Sequence, residues 1–150
     1  DRQHPRDFFD IKYMLEQEGF TSIIKKGFIF YLISSNRPVV EMLFPKDKDQ
    51  RQAFNNQFFG MTKEKFDYAD YEETRRILVN TINSSLTNED KAFLWRIEKG
   101  EPDWNIYDFS QFPAVQWKLQ NINTLKKQNP LKHKQLYQKL EMEFSKFNVQ

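Results

Sequence analysis

The stretch Arg6-Asp7-Phe8-Phe9-Asp10 holds the residues of this chain best placed for chemistry. Asp7 and Asp10 are three apart, so on a helix they project from one face, where one or both could hold a divalent cation or orient a general base. Both also have a structural use. Asp7 in a first helical turn is favoured by the helix dipole, and Arg6 can pair with Asp10 at four residues' spacing. A two-metal site draws further acidic ligands from elsewhere in the fold. This chain is expected to supply none, so no metal site is expected within it.

The other candidates are thinner. His4 precedes a proline and His133 falls in an apolar stripe, so both are expected to be structural. The glycines at 19, 27, 60 and 100 are scattered, and three of them read as helix stops rather than as a phosphate-cradling loop. No serine stands in a recognisable nucleophile setting. The absence of cysteine excludes a disulfide framework and a thiolate metal site.

Helices must carry these residues. Pro5 suits a first helical position and Gly19 closes the segment, which sets a helix over 5–18. Thr21 caps a second helix carrying GFIFYLI, apolar nearly all round until Asn36-Arg37-Pro38 stops it, a pattern that belongs in a core. Pro38 begins a short segment, PVVEML. Lysines and aspartates at 46–49 then form a solvated link into QRQAFNNQFF, which Gly60 ends. Tyr71, Leu78, Ile82 and Leu86 share a helical face, and Thr87-Asn88-Glu89-Asp90 offers a capping box for a helix that stops at Gly100. Pro113 opens QWKLQNINTLKK. Pro130 opens the last helix, where His133, Tyr137, Leu140, Phe144 and Phe147 repeat by alternating fours and threes. No period-two run of β-branched residues and no internal repeat interrupts the pattern. The fold class is all-α, a single bundle of about seven helices, with Phe28, Phe30, Leu32, Leu78, Ile82, Leu140 and Phe144 in its core.

Composition agrees. A length of 150 residues suits one domain, and 16% aromatic residues, 15 of them Phe, deliver apolar volume in a few large pieces. The longest apolar run, GFIFYLI, falls far short of the ~18 residues needed to span a bilayer. Nothing near Asp1 reads as a secretory signal, so no membrane association and a cytoplasmic location are expected. The net charge of +2 conceals a skew: from Lys118 onward seven lysines face two glutamates, which leaves +5 there and −3 elsewhere. Such a segment can attract polyanions, although lysines on a helix also serve simply as its solvated face.

Taken in order, HPRDFFDIKYMLEQEGF, the apolar helix with its NRP stop, GMT at 60–62, GEPDW and FPAVQWKLQN at 112–121 resemble the C-terminal part of the AbiEii/AbiGii-type nucleotidyltransferase toxins. The likeness covers nearly the whole chain. It implies a polymerase-β-like catalytic module ahead of Asp1, bearing a Gly-Gly/Ser motif, an acidic metal-binding pair and a lysine. Residues 1–150 are then expected to be the C-terminal helical domain of a longer protein, inactive by itself. The family resemblance further implies transfer of a nucleotide from an NTP with magnesium, in some members onto tRNA ends, and neutralisation by an antitoxin encoded alongside. By that likeness Asp7, and less directly Asp10, are this chain's catalytic contributions, and Arg6 supports them or contacts phosphate. Magnesium is expected in the intact parent and not on this fragment. Lys126, Lys127, Lys132 and Lys134 offer an RNA acceptor a basic surface. The competing expectations are a plain scaffold, or a non-catalytic helical module that holds RNA or protein through these lysines and through Trp104 or Trp117. Tryptophans of this kind also serve as ordinary packing residues.

Overall fold

The computed structural model describes residues 3–147, the side chain of Phe147 excepted. Asp1, and the Phe147 side chain that would close the apolar stripe of the last helix, lie outside the described residues. Those residues form α1 (Pro5–Gln17), α2 (Ser22–Ser34), α3 (Val39–Leu43), α4 (Arg51–Gln57), α5 (Tyr68–Ser85), α6 (Asn88–Lys99), α7 (Pro113–Gln128) and α8 (Pro130–Phe147), with no strand among them. The all-α expectation holds. The eighth helix is α3, a five-residue turn made of the segment read only as PVVEML. No described helix is long and apolar enough to cross a membrane.

Local chemistry explains most of the boundaries. The Thr21 hydroxyl accepts a hydrogen bond from the Ile24 amide at 3.3 Å, and Thr87 and Asp90 exchange both bonds of a capping box. A second box, Asp67 with Asp70, starts α5 three residues before the first apolar position of its face. Asn129 caps α8, its side chain accepting from the Lys132 amide at 3.0 Å ahead of Pro130. Gly100 ends α6 in the left-handed region at φ 79°, with its amide bonded back to Ile97. An alanine there would put its Cβ 2.9 Å from Asn123 Oδ1, the end of an exposed side chain that can swing aside. Backbone strain therefore dominates, and Gly100→Ala is expected to cost about 1–2 kcal/mol in thermal melting. A loss below ~0.5 kcal/mol would contradict the left-handed stop.

Packing divides into two clusters. The larger gathers Ile29, Leu32 and Ile33 of α2, all of the buried face of α3, Phe93, Leu94 and Ile97 of α6, Val115 and Ile122 of α7, and Leu140 and Phe144 of α8. The smaller is almost wholly aromatic. In it Phe8 of α1 meets Tyr71 edge-on at 5.2 Å, beside Phe54, Phe58 and Phe66. Leu78 of α5 packs against both clusters, so α5 is the beam that joins them.

Four of the seven expected core residues, Leu32, Ile82, Leu140 and Phe144, are buried. Phe28, Phe30 and Leu78 are instead half-buried at the margin of the core, because each shares its side of a helix with a groove or with other aromatics. Helix α2 also departs from its expected burial on every side. Ile29, Leu32 and Ile33 are enclosed, yet Ile23 and Tyr31 stand 82% and 74% exposed on the other face.

Buried polar groups are joined into networks. Asp90 serves twice: it completes the α6 capping box and takes hydrogen bonds from Lys25 Nζ and Tyr107 Oη, each at 2.7 Å. Burial alone would raise its pKa, but these donors together hold the carboxyl below the ordinary aspartate value. Burial and the neighbouring Asp90 push the Tyr107 hydroxyl well above the ordinary tyrosine value. His133 is structural as expected, buried with Nε2 2.9 Å from the Glu98 carbonyl.

Candidate functional site

The first turn of α1 is fixed from both sides. His4 caps it: Nδ1 accepts from the Arg6 amide at 3.3 Å, which leaves Nε2–H to donate to Gln57 Oε1 at 2.9 Å. Gln3, at a φ of 54°, is held by the Tyr71 hydroxyl donating to its carbonyl at 2.9 Å and by its own amide donating to the Lys46 carbonyl at 3.0 Å. A non-glycine residue keeps such a conformation where its surroundings over-determine it. With Phe8 turned into the aromatic cluster, its neighbour Asp7 faces a groove between α1, α3 and α5.

That groove encloses a cavity of about 240 Å³. Phe8, Ile11, Phe28, Leu78 and Ile82 supply an apolar lining, and Asp7, Arg37, Glu41 and Arg75 stand among its polar groups. Arg37 pairs with Glu41 at 3.2 Å, one helical turn along. Arg75 is nearly buried, pairs with Asp47 at 2.9 Å and lies over the Tyr71 ring. An apolar pocket with a few convergent charged groups is a usual form of ligand site. Carboxylates and guanidiniums together suit a ligand that carries both an oxyanion and a donor.

Of the site residues expected from sequence, Asp7 alone lines this groove. Asp10 and Arg6 are exposed and do not. Nor do these two form an ion pair with each other: both are exposed, where water and side-chain entropy compete with such a pair. Lys126, Lys127, Lys132 and Lys134 are exposed on α7 and α8 and are also absent from the groove, with Lys126 engaged by Glu101 at 3.4 Å. Lys118, counted in the basic segment, is buried against Glu98 at 3.4 Å and adds nothing to a basic surface. Trp104 packs edge-on to Phe93 at 6.1 Å, whereas Trp117 is 55% exposed.

Contrary to the expectation that this chain holds no further acids of metal-site pattern, Asp47-Lys48-Asp49 carries an Asp-x-Asp spacing. Its two carboxylates face different partners. Asp47 goes to Arg75, while Asp49 accepts from the Arg51 amide at 2.9 Å, a bond that holds its carboxyl below the ordinary aspartate value. Among the described residues no group of three or more His, Cys, Asp or Glu side chains could hold a metal ion. Arg37 and Arg75 are the site residues that sequence reasoning missed. Their only local signal was that an arginine sits inside each helix-stop or helix-face pattern, and their convergence on Asp7 comes from the tertiary fold.

Fold and groove together define a helical domain that presents two carboxylates and two guanidiniums around an apolar pocket. A protein family described as Nucleotidyl transferase AbiEii toxin, Type IV TA system, matches residues 1–121, from α1 into α7, and the chain belongs to that family. No curated protein and no solved structure matches it.

Proposed function

We propose that this chain is the helical half of a nucleotidyltransferase toxin, and that Asp7 is its contribution to the active site. The parent protein would transfer a nucleotide from an NTP to an acceptor, with RNA the acceptor class. The observation that carries the reading is that the family match includes the Arg6-Asp7 element and that Asp7, of the residues singled out there, lines a pocket. A carboxylate is useful in phosphoryl-group chemistry as a metal ligand or as an orienting base, and nearby guanidiniums hold the charge that spreads over phosphate oxygens.

Magnesium belongs to this proposal through the parent. The donors on this chain do not fit it: the Asp7 groove gathers no set of acids able to hold a cation among the described residues. The ion would be bound chiefly by carboxylates of the catalytic module, and it would supply charge neutralisation at the transferring phosphate. Membership of a toxin–antitoxin family makes a cognate antitoxin the expected partner. The test is direct. The purified 150-residue chain, given labelled NTP, magnesium and RNA, should incorporate no label above background; robust incorporation would overturn the reading.

The exposure of Trp117 and of Lys126, Lys127, Lys132 and Lys134 favours a second reading, in which α7 and α8 bind RNA without catalysis. Lysine contacts with phosphates gain mainly from counterion release, so such binding should weaken steeply from about 50 to 200 mM salt. Filter-binding titrations check this. Affinity that stays flat across the range, or that survives glutamine at Lys127, Lys132 and Lys134, would reduce the basic segment to a solvated face.

A further inference from the structure

We propose that a second cavity, beside the Asp7 groove, is a binding site for phosphate groups. Its volume is about 340 Å³, within the range of roughly 300–1,000 Å³ common to small-ligand sites. Lys46 and Lys48 reach it from the loop between α3 and α4, and Lys139 reaches it from α8. Arg37, Glu41 and Gln3 complete the polar part of its wall, with Arg37 and Glu41 paired at 3.2 Å.

As a sequence, Lys46-Asp47-Lys48-Asp49 is neutral. The fold sorts its charges. Asp47 turns to Arg75 at 2.9 Å and Asp49 to Arg51 at 3.4 Å, while both lysines line the cavity. Several lysines elsewhere find acids: Lys25 meets Asp90, Lys99 and Lys126 meet Glu101, and Lys118 meets Glu98. Lys46, Lys48 and Lys139 have no carboxylate within ion-pair distance among the described residues. Ammonium groups converging from two distant parts of the chain repel one another, and that repulsion works against the fold. A multivalent oxyanion placed between them turns the repulsion into attraction and takes charge-assisted hydrogen bonds from each.

The position adds meaning. Gln3, Arg37 and Glu41 line both this cavity and the Asp7 groove, so a phosphate held by the lysines would stand one wall away from Asp7. Its place in nucleotidyl transfer rests on the function proposed above, but the binding itself does not. The phosphates could belong to a nucleotide's triphosphate or to a nucleic-acid backbone. Both offer the same oxyanion chemistry.

Calorimetric titration of the 150-residue chain with inorganic triphosphate, and separately with a single-stranded RNA oligonucleotide, tests the site. The variant is Lys46→Gln/Lys48→Gln/Lys139→Gln. The control, Lys26→Gln/Lys63→Gln/Lys65→Gln, removes the same charge from exposed positions outside both the cavity and the basic segment of α7 and α8. All six lysines are exposed, and unchanged circular dichroism would verify that both variants fold. The expected result is an affinity loss of at least about tenfold in the first variant and at most about twofold in the control. Loss for triphosphate as well as RNA would identify a nucleotide subsite, and loss for RNA alone a backbone subsite. Equal losses in both variants would mean diffuse electrostatics and overturn the proposal. So would a wild-type chain that binds neither probe at about 1 mM. No turnover enters the experiment, so failure of the transfer reading would leave its outcome standing.

Discussion

In the intact parent protein, Asp7→Asn is expected to abolish nucleotide transfer while leaving the fold close to wild type. Asparagine preserves the size of the side chain and much of its hydrogen bonding, and it removes the charge that a cation or an orienting base would need. If Asp7 served only the first turn of α1, losing that charge should cost about 0.3–1 kcal/mol through the helix dipole and leave turnover unchanged. The two roles therefore separate in two measurements, thermal melting and transfer of labelled nucleotide. Asp10→Asn is the companion. It is exposed and outside the groove, so both activity and melting temperature should stay near wild type. An Asp7→Asn parent with full activity would remove Asp7 from the site, and an Asp10→Asn parent with none would place the site outside the groove, at the exposed position of Asp10.

What could be read from the sequence was what local chemistry controls. Thr87 with Asp90, Gly100, Pro113 and Pro130 mark the ends of α6, α7 and α8 because caps, left-handed stops and first-turn prolines act within a few residues of chain. The Asp67–Asp70 box escaped, since its N-cap is an aspartate rather than the Ser or Thr that usually signals one and that Thr87 supplies for α6. Reading failed where distant elements decide. Lys118 sits among lysines on a basic segment, and nothing within α7 distinguishes it from Lys126. Its burial follows from Glu98 on α6 and from the Arg37 carbonyl in the link between α2 and α3. Helix α2 shows the converse, because an all-round apolar pattern states what a helix could bury and not how many neighbours it finds. The groove combines both cases: Asp7 is legible from a short motif at the start of α1, and the arginines around it become neighbours only when α1 and α3 pack beside α5.

The largest loss of stability is expected at Glu98. Its carboxylate is buried, accepts from the Val39 amide at 3.0 Å and faces the equally buried Lys118 ammonium at 3.4 Å, which in turn donates to the Arg37 carbonyl. Helix α3 has no side-chain cap of its own, with Pro38 at that position, so Glu98 supplies the acceptor and the negative charge that its N-terminus needs. Burial pushes the Lys118 pKa below the ordinary lysine value, and Glu98 opposes that shift. Glu98→Ala removes the acceptor and strands a cation in the core. A broken buried pair costs about 3–5 kcal/mol, a large share of the roughly 5–15 kcal/mol that stabilises a domain. Removing both charges should hurt less. Glu98→Gln/Lys118→Met keeps an acceptor for Val39 and leaves no unpaired ion, so urea unfolding should place it above Glu98→Ala in stability, and its two single changes should be non-additive by about 1 kcal/mol or more. Because the pair also anchors the Arg37 backbone, Glu98→Ala in the parent should disturb the groove wall and lower transfer even at temperatures where the protein stays folded. A Glu98→Ala loss under ~1 kcal/mol, or single changes that simply add, would show that the junction of α2 and α3 is held by its apolar contacts and not by this pair.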